Sequence, residues 1–241
     1  MDQEAITYYD KESSVYSEKR YDSEMVDFTQ FYFRKRLAYV LGYVRKAGEG
    51  KRGLDLLEVG CADGIVIRKI EKMFPDMFAS ILGIDISPGM IEEANKRNRD
   101  PRVSFALRGQ NDPEKRYDMI LEVGFLLPPM LKDEIPYVLA GLKEGGYCIS
   151  SLPSKYSLRA FLKLKGNANA KTYRRFGEYE EILGRHFDIV GKETYGLFIP
   201  LIWKLPFLAR IIQPALESLL KYILPELFHE RIYLLKKKSN Q

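Results

Sequence analysis

The sequence predicts a doubly wound α/β fold with a mostly parallel, seven-stranded sheet, an N-terminal helical cover and a helical insertion before the last strand. Three observations lead to it. Short apolar runs alternate with stretches of helical periodicity between Leu54 and Lys236; the first run ends in a glycine-bearing loop that opens a helix; and no internal repeat or low-complexity tract breaks the series. Strands separated by helices join right-handedly into a parallel sheet with helices on both faces.

The elements follow in order. Phe28, Phe31, Tyr32, Leu37, Val40, Leu41 and Val44 recur at helical spacing within residues 1–50, which we read as a helical cover ahead of the sheet. Gly48, Gly50 and Gly53 loosen the chain before Leu54–Val59, the first strand, whose loop is Gly60-Cys61-Ala62-Asp63-Gly64. Ile65, Ile67, Ile70, Met73 and Phe74 suit a helix packing on the sheet, and Pro75 stops it. Ser80–Ile86 is the second strand, and Ser87-Pro88 supplies the N-cap and first-turn chemistry of a helix running to about Arg97. Val103–Leu107 and Tyr117–Val123 are strands three and four. A helix over Ile135–Leu142 ends at Gly145-Gly146, and Tyr147–Leu152 is strand five. A short helix after Gly177 leads to strand six, Phe187–Leu197, and Arg231–Lys236 is strand seven. Residues 51–241 thus read as one domain that forms a compact unit with the cover, its insertion lying at about 199–228.

Composition narrows the class. Apolar residues at 46% and charged residues at 29% belong to a globular chain, and 241 residues suffice for one sizeable core. Lys+Arg number 38 against 33 Asp+Glu, with Lys236, Lys237 and Lys238 carrying part of the excess. A basic surface suits an anionic substrate, RNA or an anionic membrane equally. Cys61 and Cys148 fall in apolar runs with no second Cys or His at ligand spacing, so we expect no disulfide, no metal and a reducing, cytoplasmic compartment. The start, Met1-Asp2-Gln3-Glu4, has no basic segment leading into an apolar core, so no secretory signal is expected. The apolar region from Tyr195 to Phe228 is broken by Lys204, Arg210, Glu217 and Lys221 and by four prolines, which excludes a membrane span.

The chemistry concentrates where an open α/β sheet binds ligands, outside its strand ends. Glu58 closes the first strand, and the loop after it offers glycines for close approach and the unpaired N–H groups of a helix start. One βαβ unit later Asp85 closes the second strand, an acceptor-only carboxylate suited to a pair of hydroxyls. A dinucleotide site is disfavoured: counted from Gly60, the second and third glycines of its fingerprint fall on Ala62 and Ile65. A P-loop is excluded because no Gly-Lys-Ser or Gly-Lys-Thr occurs.

Glu58 to Gly64 resembles motif I of the class I S-adenosylmethionine-dependent methyltransferases, with their Rossmann-like fold. Glu58, Gly60 and Gly64 match, Cys61 completes the loop, and Ala62 stands where the family often has glycine. The resemblance implies that this loop cradles the methionine part of S-adenosylmethionine, that Asp85 takes the ribose hydroxyls, and that Ile86 and Met90 lie against adenine. It spans about Leu54 to Pro153 and extends to Gln110 and Asn111, where the family often has an acid meeting the adenine amine, and to Glu122, which borders the methyl group. Tyr9 and Tyr16 belong to an N-terminal lid that, by the same resemblance, closes over the cofactor.

The acceptor is less legible. Methyl transfer from a sulfonium is an in-line displacement, which needs alignment and water exclusion first, and a base only where the nucleophile must lose a proton. The expectation is a small or lipid-like acceptor; an RNA methyltransferase using the basic surface and a non-catalytic cofactor-binding module are the alternatives. Phe125, Trp203 and His229 are the candidate acceptor contacts. The proline-broken segment from Pro200 to Pro225 reads as two or three short helices, and it either caps a lipophilic pocket, rests on a membrane beside Lys204, Arg210 and Lys221, forms a dimer contact or packs in the core.

Overall fold

A computed structural model describes residues 3–22, 24–109, 115–124, 130–162 and 170–239. Its strands are β1 Leu54–Val59, β2 Phe78–Asp85, β3 Val103–Leu107, β4 Tyr117–Glu122, β5 Leu142–Pro153, β6 Phe187–Tyr195 and β7 Glu230–Lys237. They form one seven-stranded sheet in the order β3-β2-β1-β4-β5-β7-β6. All pairings are parallel except those of β7, which runs antiparallel to both β5 and β6. The order reverses at β1, whose neighbours are β2 and β4, so a crevice opens at the C-terminal ends of these strands.

The helices are α1 Gln3–Glu12, α2 Phe28–Ala47, α3 Ile65–Met73, α4 Pro88–Arg97, α5 Leu131–Gly141, α6 Leu158–Phe161, α7 Phe176–Gly184 and α8 Pro206–Ile223. Two apolar layers cover the sheet. On one face, α2 and α3 bury Phe28, Val40, Val44, Ile67 and Ile70 against Leu56, Met119 and Ile149. On the other, Leu131, Ile135, Phe176 and Tyr179 meet Leu57, Ile120, Cys148 and Tyr233. A capping box starts α2: Asp27 accepts the Gln30 N–H at 3.1 Å, and the Asp27 N–H donates to Gln30 Oε1 at 2.9 Å.

Two sequence expectations are corrected. Gly145-Gly146 does not separate a helix from strand five; both glycines lie inside β5, which begins at Leu142, and the helix before it runs Leu131–Gly141 across Pro136. The proline-rich segment is not a set of short helices divided at each proline. It is one helix, α8, continuous through Pro214, between 3₁₀ turns at Ile202–Lys204 and Pro225–Leu227. Proline forfeits one backbone bond and crowds the preceding turn, yet the helix continues, and the Pro214 carbonyl accepts the Ser218 hydroxyl at 2.9 Å.

A buried polar cluster ties the end of β6, the start of β7 and helix α2 together. Tyr195 donates to Glu230 in a short hydrogen bond, Tyr32 stacks on Tyr195 at 5.4 Å, and the His229 ring lies 5.5 Å from Tyr32. His229 Nδ1 is buried with no partner among the described residues, and burial pushes its pKa down from 6.5 to about 4.

Two outcomes follow for stability. Ile67, wholly buried between α3 and the sheet, is expected to cost about 2–5 kcal/mol on replacement by alanine, against about 1 kcal/mol for Asp27→Ala at the capping box, with urea unfolding as the measurement and the m-value unchanged. Below about pH 6.5 the unfolded chain takes up a proton at His229 that the native state refuses until about pH 4. Stability contributed by this group is therefore complete above pH 6.5 and lost as pH falls through that window. Urea midpoints for His229→Leu should decline less steeply than wild type over the same range.

Candidate functional site

The site grows from the ends of β1 and β2, adjacent parallel strands paired Glu58 to Gly83 and Val59 to Ile84. After β1 the chain turns through three residues of positive φ: Gly60 at 75°, Ala62 at 49° and Gly64 at 77°. A side chain at Gly64 would also stand 2.7 Å from the Phe105 ring, so glycine is required there twice over. Ala62 has no such exemption, since its Cβ crowds the backbone in the left-handed region. Its N–H donates to Asp85 Oδ2 at 2.9 Å, and this charge-assisted bond holds the turn.

Asp85 also takes the Ser87 N–H on Oδ1 at 2.9 Å, while the Ser87 hydroxyl caps α4 by accepting the Met90 N–H at 3.1 Å. Both Asp85 oxygens thus accept from backbone, with lone pairs left over. Burial raises its pKa, opposed by the Ser87 and Ala62 N–H groups. Glu58 is 4% exposed, its Oε2 has no partner among the described residues, and burial holds its pKa well above the ordinary value despite nearby Arg36. An orphaned carboxylate oxygen in so dry a place fits a cationic donor supplied by a ligand.

A small cavity adjoins this oxygen, lined by Tyr16, Tyr21, Arg36, Glu58, Gly60, Cys61, Ala62 and Val123 with neighbouring aliphatic side chains. The structure therefore brings together Glu58, Gly60, Cys61, Ala62 and Tyr16, with Asp85 joined to them through Ala62. Tyr9 is half-exposed, and its phenol, raised in pKa chiefly by burial, feels Arg20 and Asp85. Ile86 is half-buried and Met90 fully buried at the start of α4. Glu122 ends β4 buried beside Glu134, whose two carboxylate oxygens accept from Arg108 Nη2 at 2.7 and 2.8 Å; burial and Glu134 raise the Glu122 pKa well above normal. Gln110, Asn111 and Phe125 lie outside the described residues.

The expected acceptor contacts Trp203 and His229 lie away from this cavity. Trp203 packs on Phe31 of α2, with ring centroids 5.7 Å apart, and does not line the cavity. Phe207 and Ile211 face outward at 74% and 62% exposure, so neither caps a pocket nor fills a core. His229 also stays outside the cavity, one aromatic ring removed from Arg36, whose guanidinium lies 5.5 Å from the Tyr32 ring.

Sequence reading missed three groups that shape the site. Arg36 is 7% exposed, and its only hydrogen bond among the described residues reaches Tyr21 Oη at 3.4 Å; its other neighbours are the Phe33 and Tyr32 rings and Gly124, just past β4. The signal was present: Arg36 occupies the buried stripe of α2 between Tyr32 and Val40, four residues from each. Asp63, fully buried, accepts short hydrogen bonds from Ser17 and Arg97. Asp10 accepts the Ser87 hydroxyl in a short bond and the Gly89 N–H at 3.0 Å, which fastens α1 to the start of α4 beside Asp85.

The comparisons agree with this geometry. The chain is 37% identical to a malonyl-[acyl-carrier protein] O-methyltransferase of Acetivibrio thermocellus over 61% of its own length and 59% of that protein's. It is 41% identical to a second enzyme of that name, from Ilyobacter polytropus, over 29% of this chain and 26% of that one. The chain thus spans well under two thirds of the curated relatives it matches. Among solved structures, magnesium protoporphyrin IX methyltransferase from Synechocystis PCC 6803, determined with bound SAH, superposes with a TM-score of 0.66 at 16% identity, covering 97% of this chain and 98% of that one, which is a likeness of fold. Residues 56–146, which run from β1 into β5 and include both acidic strand ends, match the family model described as a methyltransferase domain.

Proposed function

We propose that this chain binds S-adenosylmethionine and transfers its methyl group to a small or lipid-like acceptor. The observation that carries the reading is the pair Glu58 and Asp85, buried at the ends of neighbouring parallel strands around a left-handed loop, one with an orphaned oxygen and the other with acceptor capacity to spare. Bound S-adenosylmethionine supplies an electrophilic methyl group on sulfur. In our reading Glu58 accepts from the ammonium of the cofactor's amino acid, Asp85 from the ribose hydroxyls, and Ile86 and Met90 support the base.

Arg36 is our candidate for the cofactor's carboxylate. Among the described residues this buried guanidinium makes one long hydrogen bond, which leaves donors of its five for a ligand, and it lines the same cavity as Glu58. Tyr16, beside both, excludes water from that end. Opposite charges on Glu58 and Arg36 would thus match the two ends of a zwitterion.

The relatives named for O-methylation of a malonyl group on a carrier protein support an acceptor of that general kind, an acyl chain or small molecule with a nucleophilic oxygen. An ionised carboxylate acceptor has no proton to lose. The site then needs no general base for transfer to such an acceptor.

Calorimetry on the intact chain should give micromolar-range binding of S-adenosylmethionine, weakened about tenfold or more in Asp85→Ala. Absence of wild-type binding, or equal binding by the variant, overturns the cofactor reading. Transfer of labelled methyl to cell extract should then appear in the lipid or small-molecule fraction; label in RNA alone would assign the acceptor to the rival class, and no label at all would leave a binding module. For Arg36, S-adenosylhomocysteine and methylthioadenosine make a matched pair, because the second lacks the amino-acid part. Arg36→Met should lower affinity for the first about tenfold and leave the second unchanged. A parallel loss for both would mean that Arg36 acts by supporting the fold.

A further inference from the structure

Helix α8 presents its faces in the reverse of the usual order. Its protein-facing side carries Ala209, Gln213 and Glu217, all buried. Glu217 accepts the Gly196 and Leu197 N–H groups at 3.1 and 2.8 Å, and Gln213 donates to the Leu197 carbonyl, so the polar side is spent on the backbone that leaves β6. The outward side holds Phe207, Leu208, Ile211, Ile212, Leu219, Tyr222 and Ile223, at 40 to 78% exposure. With Leu201, Leu205 and Leu224 this one segment supplies 10 of the 18 large apolar side chains exposed among the described residues. Eighteen helical residues make a strip about 27 Å long. A contiguous apolar surface of that extent marks an interaction site.

We infer that α8 lies in the plane of an anionic lipid surface, its outward side among the acyl chains. Charge is the first argument. The one acid of α8 is the buried Glu217, so the outward side carries no negative charge. Exposed cations stand at both ends of the strip. Lys204 precedes the helix; at the other end Glu226, just past it, bonds Ser154 Oγ at 2.9 Å and the Phe176 N–H at 2.9 Å, and so draws in the exposed Lys155 and Arg175 and also Arg174, whose guanidinium lies 3.8 Å from the exposed Glu178. Tyr156, itself 48% exposed, lies between Lys155 and Arg175, 5.8 and 5.6 Å from its ring centroid. Arg210 and Lys221, the helix's own cations, are paired with Glu24 and Glu193 at 2.7 and 2.8 Å and do not contribute. An apolar strip with cationic ends matches acyl chains bounded by anionic headgroups.

Two further arguments set other occupants aside. A second copy would bring like charges together: antiparallel pairing sets Lys204 against Lys155, Arg174 and Arg175, and parallel pairing sets each end against itself. A specific protein partner would expect about one hydrogen bond per 100–200 Å² of contact. The outward side offers little: Ser218, whose hydroxyl is committed to Pro214, and the Tyr222 phenol. Hydrocarbon asks for none. No helix among the described residues is long and apolar enough to cross a membrane, so the contact is in-plane. The inference stands apart from the cofactor reading; where both hold, the acceptor is met at a lipid surface.

The test is co-sedimentation of the full chain with vesicles of phosphatidylcholine alone or mixed with phosphatidylserine. Wild type should pellet with the mixed vesicles, less so at high salt, and the double variant Ile211→Glu/Leu219→Glu should stay in the supernatant. Lys155→Glu/Arg174→Glu should lower binding to the mixed vesicles roughly tenfold or more. Both variants change exposed side chains, and unchanged circular dichroism and S-adenosylhomocysteine affinity would separate loss of docking from loss of fold. The inference is overturned if wild type ignores both vesicle types, or if Ile211→Glu/Leu219→Glu binds as wild type does. It is overturned equally if light scattering finds a dimer that this variant dissociates, or if an acidic carrier protein binds the strip and vesicles do not.

Discussion

The Asp85 carboxylate is the interaction on which the rest of the site depends. It stands at the end of β2, yet its oxygens hold the loop after β1 and the first turn of α4, so three elements meet on one side chain. Without it, Ala62 would have no counterweight to its left-handed backbone, and the Gly60–Gly64 turn would lose the bond that sets how far it stands from the sheet. The cost is a buried charge. That cost is tolerable because two backbone N–H groups already solvate the carboxylate, and a ligand offering hydroxyls would complete the solvation.

The same logic, carboxylates satisfied by backbone and by distant chain, attaches the N-terminal residues. Asp10 on the start of α4 uses the favourable end of a helix dipole, while Ser17 reaches the buried Asp63 from above. These bonds carry Tyr9 and Tyr16 to the mouth of the crevice. The segment is fastened by these hydrogen bonds and by Tyr21, which joins the same apolar layer as the buried stripe of α2.

Helix α8 follows from a different constraint. The chain leaving β6 exposes backbone N–H groups at Gly196 and Leu197 that the sheet does not pair, and Glu217 and Gln213 satisfy them. Once these polar residues are turned inward, helical geometry forces the leucines, isoleucines and aromatics of the same helix outward. The exposed apolar strip is therefore a geometric consequence of capping β6 with this sequence, not a failure of packing.

Much of the fold was legible in the residues because it is local. Strand β1 matches the apolar run Leu54–Val59, β3 matches Val103–Leu107, and Pro88 with Ser87 marks the start of α4, since alternation, capping and proline chemistry act within a few positions. The left-handed loop and the two acidic strand ends were legible for the same reason. Tertiary structure decided what local chemistry leaves open. Whether Pro214 breaks a helix depends on what supports the turns around it, and Gly145-Gly146 lies in a strand because β4 pairs with that stretch of β5. Arg36 lies in the buried stripe of α2, but only the packing of that stripe on the sheet brings it beside Glu58. The segment from Pro200 to Pro225 announced its greasiness plainly, but a hydrophobic sequence states only that water is disfavoured, and which side of the helix turns inward was set by two unpaired amides at the end of a strand.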